Sequence, residues 1–189
     1  ASVGAVGHRV VHGGARFTSA VLVDDAVVAA IEALGELAPL HNLAAARVIA
    51  AARAILPSVP HVAVFDTAFH ASLDAPAYVY ALPRAWHDEW GYRRFGFHGL
   101  SVEWSTGRAG ELLGRDPREL GLVVAHLGAG CSVTAVWRGR SAATSMGMTP
   151  LEGLVMATRS GSVDPGILLA AQREHGLDAT ALTEILDRR

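Results

Sequence analysis

Arg9 stands near the end of a β-rich segment, Val3–Val11, that runs into two glycines. Glycine permits tight turns and close approach of a ligand, and a guanidinium forms forked hydrogen bonds with carboxylates and phosphates. The segment therefore predicts an anion site at the end of a strand. His8 and His12 have the four-residue spacing of some zinc helices, but the valines between them and the glycines after them favour a strand with ordinary hydrogen-bonded histidines.

Asp66 closes a short apolar segment, His61–Phe65, that has the pattern of a buried strand. Its carboxylate would lie at the carboxyl edge of a sheet, where α/β proteins usually place ligands. A phosphate-linked Mg²⁺ is the natural partner of such a carboxylate. The alternative is a helix or turn cap, because aspartate is favoured at both.

Two further glycine-rich runs contain histidine. His98 lies in the run 93–99 with two arginines and two aromatic residues, where a purely structural histidine is the alternative interpretation. His126 precedes the turn Gly128–Gly130 of a predicted hairpin, whose backbone amides could face phosphate oxygens. Cys131 follows that turn, and since no base stands beside it in the sequence, a hairpin residue is a better explanation than a nucleophile.

The composition excludes several classes of protein. All 16 basic residues are arginines and the net charge is -2. Without lysine there is no phosphate loop ending in Gly-Lys-Ser/Thr and no Schiff-base chemistry, and scattered arginines give no basic stripe for nucleic acid. No apolar stretch approaches the roughly 20 residues of a membrane span. A single cysteine and no secretory signal favour the cytoplasm.

The apolar pattern supplies elements that could position these side chains. Helical spacing predicts helices over Asp24–Leu37, His41–Leu56, Ser101–Leu113, Pro150–Ala157, Asp164–Glu174 and Asp178–Arg188. Strands are predicted over Val3–Val11 and His61–Phe65, and as a β-meander over Leu122–Leu127, Ser132–Trp137 and Arg140–Ser145. Arg159 then follows a helix and offers a second exposed guanidinium. This order predicts an α/β protein in which each sheet lacks its opening or closing strands.

Taken together, these segments resemble the acetate kinase family. The matching stretches follow the family order: Val6–Gly14, the His41-Asn42 helix start, Val64–His70, Tyr92–Gly99, His126–Val136 and Thr144–Gly166. The resemblance implies the two-lobed architecture of actin and sugar kinases, with a ribonuclease H-like sheet in each lobe, here incomplete at both ends. Residues 1–67 would form the C-terminal part of the first lobe, and residues 68–189 the N-terminal part of the second, nucleotide-side lobe.

The same resemblance implies reversible phosphoryl transfer from ATP to acetate, giving acetyl phosphate and ADP, with Mg²⁺ as cofactor. Arg9 and Arg159 would grip the carboxylate and the phosphoryl group, and His98 would donate a hydrogen bond to the phosphoryl oxygens. Asp66 would hold Mg²⁺ or align these groups. The implied binding residues are His41 beside the carboxylate, Val11, Leu40, Phe97 and Pro150 around the acyl methyl, and His126, Gly128, Ala129 and Gly130 at the ATP phosphates.

Four positions depart from the family pattern. Ala129 replaces a usual Asn, Val102 a usual His, and Ala143 and Ser162 usual Asp residues. These departures leave open a non-catalytic relative that acts as a binding module. A propionate or other short-chain acyl kinase also stays open, since one methylene in the pocket changes discrimination by only about 1 to 3 kcal/mol. The family's opening phosphate loop and closing adenine-binding region have no counterpart here, so we expect this chain alone to be inactive. The resemblance also implies that the full-length protein is a homodimer.

Overall fold

The computed structural model describes residues 2–38 and 41–188, which contain two three-stranded sheets. The strands of the first sheet are β1 (Val6–Val10), β2 (Val21–Leu22) and β3 (His61–Phe65), in the order β1-β3-β2. β3 runs parallel to β1 and antiparallel to β2, with Val10 paired to Phe65. The predicted strands at Val3–Val11 and His61–Phe65 are confirmed, whereas β2 is too short to leave a sequence pattern.

Two helices cover the first sheet, α1 (Asp25–Ala33) and α2 (Asn42–Ile55), with a 3-10 turn at Leu34–Glu36. The Asp24 carboxylate begins α1 by accepting a hydrogen bond from the Val27 amide. Ile31 of α1, Ile49 of α2 and Phe65 of β3 are buried in one apolar core. Both predicted helices are confirmed, and their apolar faces hold the sheet that carries Arg9 and Asp66.

A segment of short helices joins the two sheets. It contains a 3-10 helix at Ala68–Ser72, α3 (Ala75–Tyr78), α4 (Arg84–Asp88) and the long α5 (Gly99–Leu113). The Gly99 amide donates to the Asp66 carbonyl over 2.8 Å, and a Cβ at Gly99 would collide with that same carbonyl. Only glycine therefore lets α5 begin directly against the end of β3, which brings His98 next to Asp66.

The second sheet is the predicted β-meander. It consists of β4 (Gly121–Leu127), β5 (Cys131–Trp137) and β6 (Arg140–Thr144), antiparallel in that order. His126 of β4 pairs with Ser132 of β5 across the glycine turn. A 3-10 turn at Pro117–Glu119 leads into β4.

The helix predicted over Pro150–Ala157 is wrong, because this stretch consists of turns and bends. Gly153 has φ +113, a conformation that a helix cannot contain, and a Cβ there would lie 2.7 Å from the Ser145 carbonyl oxygen. The last two predicted helices are confirmed as α6 (Pro165–His175), capped by Asp164, and α7 (Ala179–Arg188). Within the described ranges, no helix is both long and apolar enough to cross a bilayer.

Candidate active site

Arg9 and Asp66 form a two-pronged ion pair at the carboxyl edge of the first sheet. Because β1 and β3 are parallel neighbours, the two side chains emerge together. Nε of Arg9 donates to Oδ1 of Asp66 over 2.9 Å, and Nη2 donates to Oδ2 over 2.6 Å. Asp66 is buried with 2% of its side chain exposed, whereas Arg9 is 61% exposed. The hydrogen bonds to Asp66 raise the pKa of Arg9. Asp66 thus fixes the plane of a guanidinium that still faces solvent.

Both oxygens of Asp66 are already acceptors for Arg9, which leaves the carboxylate poorly placed for a metal. Among residues 2–38 and 41–188 there is also no group of three or more His, Cys, Asp or Glu side chains that could hold an ion. These residues do not fit a direct Mg²⁺ site in this arrangement. The geometry favours the alignment role for Asp66, and its Mg²⁺ role stays a prediction.

His98 lies at the start of α5 in the left-handed conformation, with φ 60. Its Nδ1 is 3.0 Å from the Ser132 hydroxyl oxygen, and its ring stacks on His126 with centroids 4.0 Å apart. Burial, the adjacent His126, and the Arg9 and Arg159 charges lower the pKa of His98 to about 4, while Asp66 opposes them. The imidazole is therefore neutral near pH 7, and when the Ser132 hydroxyl donates to Nδ1, Nε2 carries the proton and can donate.

Arg159, in the loop after β6, extends its side chain towards His98. A Cβ on Gly130 would lie 3.3 Å from His98 Nε2 and 3.4 Å from Arg159 Nη1, so both side chains approach the glycine turn. Nε of Arg159 donates to Oδ1 of Asp187 over 3.0 Å, and the side chain is only 25% exposed. The expectations that Arg159 follows a helix and that it is exposed are both wrong. Turns and bends precede it, and the contacts of this loop with the end of α7 leave the guanidinium only partly exposed.

The glycine turn is held by its own hydrogen bonds. The Gly128 amide donates to the Gly130 carbonyl over 3.1 Å, which removes one of the amides predicted to face phosphate. The Ala129 carbonyl accepts from the Ala157 amide over 3.4 Å. His126 is fixed by the Ser101 hydroxyl, 2.9 Å from its Nδ1. A phosphate-binding role for His126 and this turn stays a prediction.

The remaining predicted residues fall into a cavity and an apolar cluster. His41, Pro150 and Arg159 line a cavity of about 440 Å³. Phe97 is buried against Met146 and Met156, with Val11 and Cys131 packed on them. Nη1 of Arg159 lies 3.5 Å from the Met156 sulfur and so connects the two regions. Leu40 lies outside the described residues.

A clamp that the sequence did not predict holds the loop before Arg159. The Glu152 carboxylate accepts from Arg94 Nη2 and from the Tyr80 hydroxyl, each over 2.6 Å. Nη1 of Arg94 lies within 3.3 Å of the Thr144, Ser145 and Met146 carbonyl oxygens. Burial and the bond to Glu152 raise the pKa of Tyr80 to about 12. Arg93 and Arg94 are adjacent in the sequence, but nothing there points to the distant acceptors of Arg94.

Replacing Glu152 with alanine should lower the free energy of unfolding by about 2 to 3 kcal/mol, since hydrogen bonds to charged groups contribute about 1.5 to 3 kcal/mol. Urea denaturation measures the change. Glu111→Ala is the matched control, because Glu111 forms an exposed ion pair with Arg108 and such pairs contribute below about 1 kcal/mol. Equal midpoints for the two variants would contradict the clamp.

His12 is fully buried between the rings of Phe95 and Phe97. Its Nδ1 accepts from the Gly14 amide, and its Nε2 has no hydrogen-bond partner of good geometry in the described part of the chain. Burial lowers its pKa from 6.5 to about 4, and the nearby Met148 backbone offsets this only in part.

The lowered pKa of His12 makes folding stability depend on pH. Between pH 6.5 and about 4 the unfolded chain binds a proton that folded His12 does not, so stability is full above pH 6.5 and falls as the pH approaches 4. His98 acts in the same direction. We expect His12→Gln to show a shallower fall of the urea midpoint over this range, and His175→Gln, at an exposed position, to keep the parent slope. A parent midpoint that is flat from pH 6.5 to 4 would contradict this account.

The sequence matches the Acetokinase family over residues 1–189. It is 53% identical over 187 residues to the acetate kinase of Deinococcus radiodurans, covering 99% of this chain and 47% of that protein. The structure matches Porphyromonas gingivalis acetate kinase with TM-score 0.94 and 42% identity, covering 98% of this chain and 47% of that one. A propionate kinase from Francisella tularensis matches with TM-score 0.92 and 43% identity, covering 97% and 47%.

The chain therefore spans about half the length of the relatives it matches. Those kinases have the actin-like ATPase fold, so the predicted α/β architecture of actin and sugar kinases is confirmed for the part that is present. With a match along its whole length, this chain belongs to the acetokinase family.

Proposed function

We propose that the protein containing this chain transfers a phosphoryl group reversibly between ATP and acetate, forming acetyl phosphate and ADP. Arg9, neutral His98 and Arg159 meet at the junction of the two sheets, and this meeting carries the proposal: His98 Nε2 and Arg159 Nη1 both approach Gly130. Burial first, then His126 and the charges of Arg9 and Arg159, lower the pKa of the imidazole. Two cations and a neutral donor suit a reaction whose substrates are all anions. Family membership and acetate kinases at about 50% identity support it.

The chemistry needs no general base, because a carboxylate is already ionised at neutral pH. A carboxylate oxygen forms a bond to the γ-phosphorus, and the bond from that phosphorus to the β–γ bridging oxygen breaks, so that ADP leaves with the electron pair. Catalysis then depends on in-line positioning and on stabilising charge spread over the phosphoryl oxygens. We assign Arg9 and Arg159 to grip the carboxylate and the phosphoryl group, and His98 Nε2 to donate to the phosphoryl oxygens.

The other predicted roles complete this proposal. His126 and the turn Gly128–Gly130 would contact ATP phosphates, and Mg²⁺ would enter as the counter-ion of ATP. Residues 1–67 and 68–189 would contribute to the two lobes that enclose the substrates. We place the protein in the cytoplasm and expect the full-length molecule to be a homodimer.

Acetate is favoured over propionate by the names of the curated relatives, but a propionate kinase also matches the structure closely. One methylene in an apolar pocket changes discrimination by only about 1 to 3 kcal/mol. A degenerate, non-catalytic relative is the third possibility, and Ala129, Val102 and Ala143 favour it. Against it stands the intact set of Arg9, Asp66, His98 and Arg159.

The test is to incubate the full-length protein with Mg-ATP, hydroxylamine and either acetate or propionate, and to measure the acyl hydroxamate trapped from the acyl phosphate. Hydroxamate formed faster from acetate supports the proposal, and faster formation from propionate supports the acyl kinase alternative. A folded protein that binds ATP but forms neither product would support the non-catalytic relative.

A further inference from the structure

Asp187 contacts one of the two arginines proposed to grip the substrates. It lies in the last turn of α7, and its Oδ1 accepts the Nε proton of Arg159 over 3.0 Å. Both side chains are mostly buried, with 25% of Arg159 and 32% of Asp187 exposed. The neighbouring backbone is also joined, since the Ser160 amide donates to the Leu186 carbonyl over 2.9 Å. The end of α7 is thus bound to the Arg159 loop at two places.

The position of the contact on the guanidinium leaves the terminal nitrogens for other partners. Nε faces Asp187, while among the described residues Nη1 has only a long contact of 3.4 Å to the Pro150 carbonyl and one of 3.5 Å to the Met156 sulfur. An arginine held through Nε keeps its planar fork oriented and has less rotational freedom to lose when an anion binds. Asp187 and Arg159 also line the same cavity as His41 and Pro150.

The pair repeats the arrangement at the other arginine. Nε of Arg9 donates to Oδ1 of Asp66 over 2.9 Å, and Nε of Arg159 donates to Oδ1 of Asp187 over 3.0 Å. In both cases a carboxylate from a separate element accepts the Nε proton of the guanidinium, and Asp66 also accepts from Nη2 of Arg9. Asp66 follows β3 and Asp187 belongs to α7, so the two ion pairs are formed by different elements.

We propose that Asp187 is a positioning residue that orients Arg159 for phosphoryl transfer, a role that rests on the proposed function. It does not bind substrate, because its negative charge would repel both acetate and ATP. It acts by fixing the guanidinium plane and by keeping Arg159 directed towards the glycine turn and His98. This role makes the C-terminal turn of α7 part of the active-site framework.

The test compares three variants of the full-length protein in the transfer assay. Asp187→Ala should reduce kcat/KM for acetate about 10- to 100-fold, because small misplacement of a catalytic group has effects of this size. Asp187→Asn retains an oxygen that accepts the Nε proton and should stay within about threefold of wild type. The matched control is Asp178→Ala, which removes the side chain that caps α7 through the Ala181 amide but leaves the Arg159 contact in place.

A second readout follows Arg159 directly. The Nε proton of Arg159, assigned by its absence in Arg159→Lys, should give a slowly exchanging NMR signal in wild type and in Asp187→Asn, and should broaden or exchange in Asp187→Ala. The inference is overturned if Asp187→Ala retains or exceeds wild-type kcat/KM, or if Asp178→Ala loses as much activity as Asp187→Ala. A wild type inactive on every acyl substrate overturns the proposed function and this inference together, so the two failures are distinguishable.

Discussion

Replacing Arg159 with alanine is expected to reduce kcat by at least about 100-fold, since removing one preorganised donor to developing charge costs about 10² to 10³ in rate. The loss should appear in kcat more than in ATP binding, because the guanidinium lies near His98, which we assign to the phosphoryl group in transfer. Steady-state kinetics of the full-length enzyme measure it. Arg159→Lys should recover only part of the rate, because an ammonium has the charge without the planar fork.

The matched control for this prediction is Arg173→Ala, which removes an exposed guanidinium paired with Glu174 on α6. It should leave kcat within about twofold, as expected of a surface ion pair. Circular dichroism must show that Arg159→Ala is folded. A folded Arg159→Ala enzyme with near-wild-type turnover would remove Arg159 from the proposed mechanism.

Asp66→Asn is the second substitution for which we expect a large loss of activity. It distinguishes the two predicted roles of Asp66, alignment of Arg9 and binding of Mg²⁺. An amide cannot accept both guanidinium bonds that Asp66 receives from Arg9. If Asp66 aligns Arg9, kcat/KM should fall about 100-fold while the Mg²⁺ concentration for half-maximal rate stays unchanged. If Asp66 binds Mg²⁺, the loss should be recovered at high Mg²⁺.

A titration of rate against Mg²⁺ distinguishes these outcomes for wild type and Asp66→Asn. Asp25→Asn is the control, because Asp25 is paired with Arg53 at a position where its side chain is 97% exposed. It should match wild type in both rate and Mg²⁺ dependence. Recovery of Asp66→Asn by added Mg²⁺ would contradict the alignment role that the geometry favours.

Sequence patterns predicted the strands and helices whose apolar spacing is visible within a short stretch of neighbouring residues. Arg9 and Asp66 stand at the ends of strands with clear apolar patterns, so their meeting at one sheet edge follows from parallel pairing. The left-handed backbone at His98 could not be seen, because it depends on the fit of Gly99 against the Asp66 carbonyl. Its neutral state depends in turn on burial and on charges from distant segments.

The wrong prediction of a helix over Pro150–Ala157 shows that neighbouring residues alone do not determine the structure of this stretch. Its apolar spacing is helical, but Glu152 is bound to Arg94 and Tyr80, which lie 58 and 72 residues away in the sequence. These bonds and the position of Gly153 against the Ser145 carbonyl outweigh a weak helical preference. Asp187 was missed for the same reason, because its partner Arg159 lies 28 residues earlier and no local pattern joins them.

The most direct test of the central claim is phosphorus NMR of the full-length protein with ADP, Mg²⁺ and acetyl phosphate. We predict that the acetyl phosphate signal is replaced by the γ-phosphate signal of ATP in wild type, and that Arg9→Ala slows this conversion by at least about 100-fold. Absence of transfer in a folded wild-type protein, or equal rates in wild type and Arg9→Ala, would contradict the account.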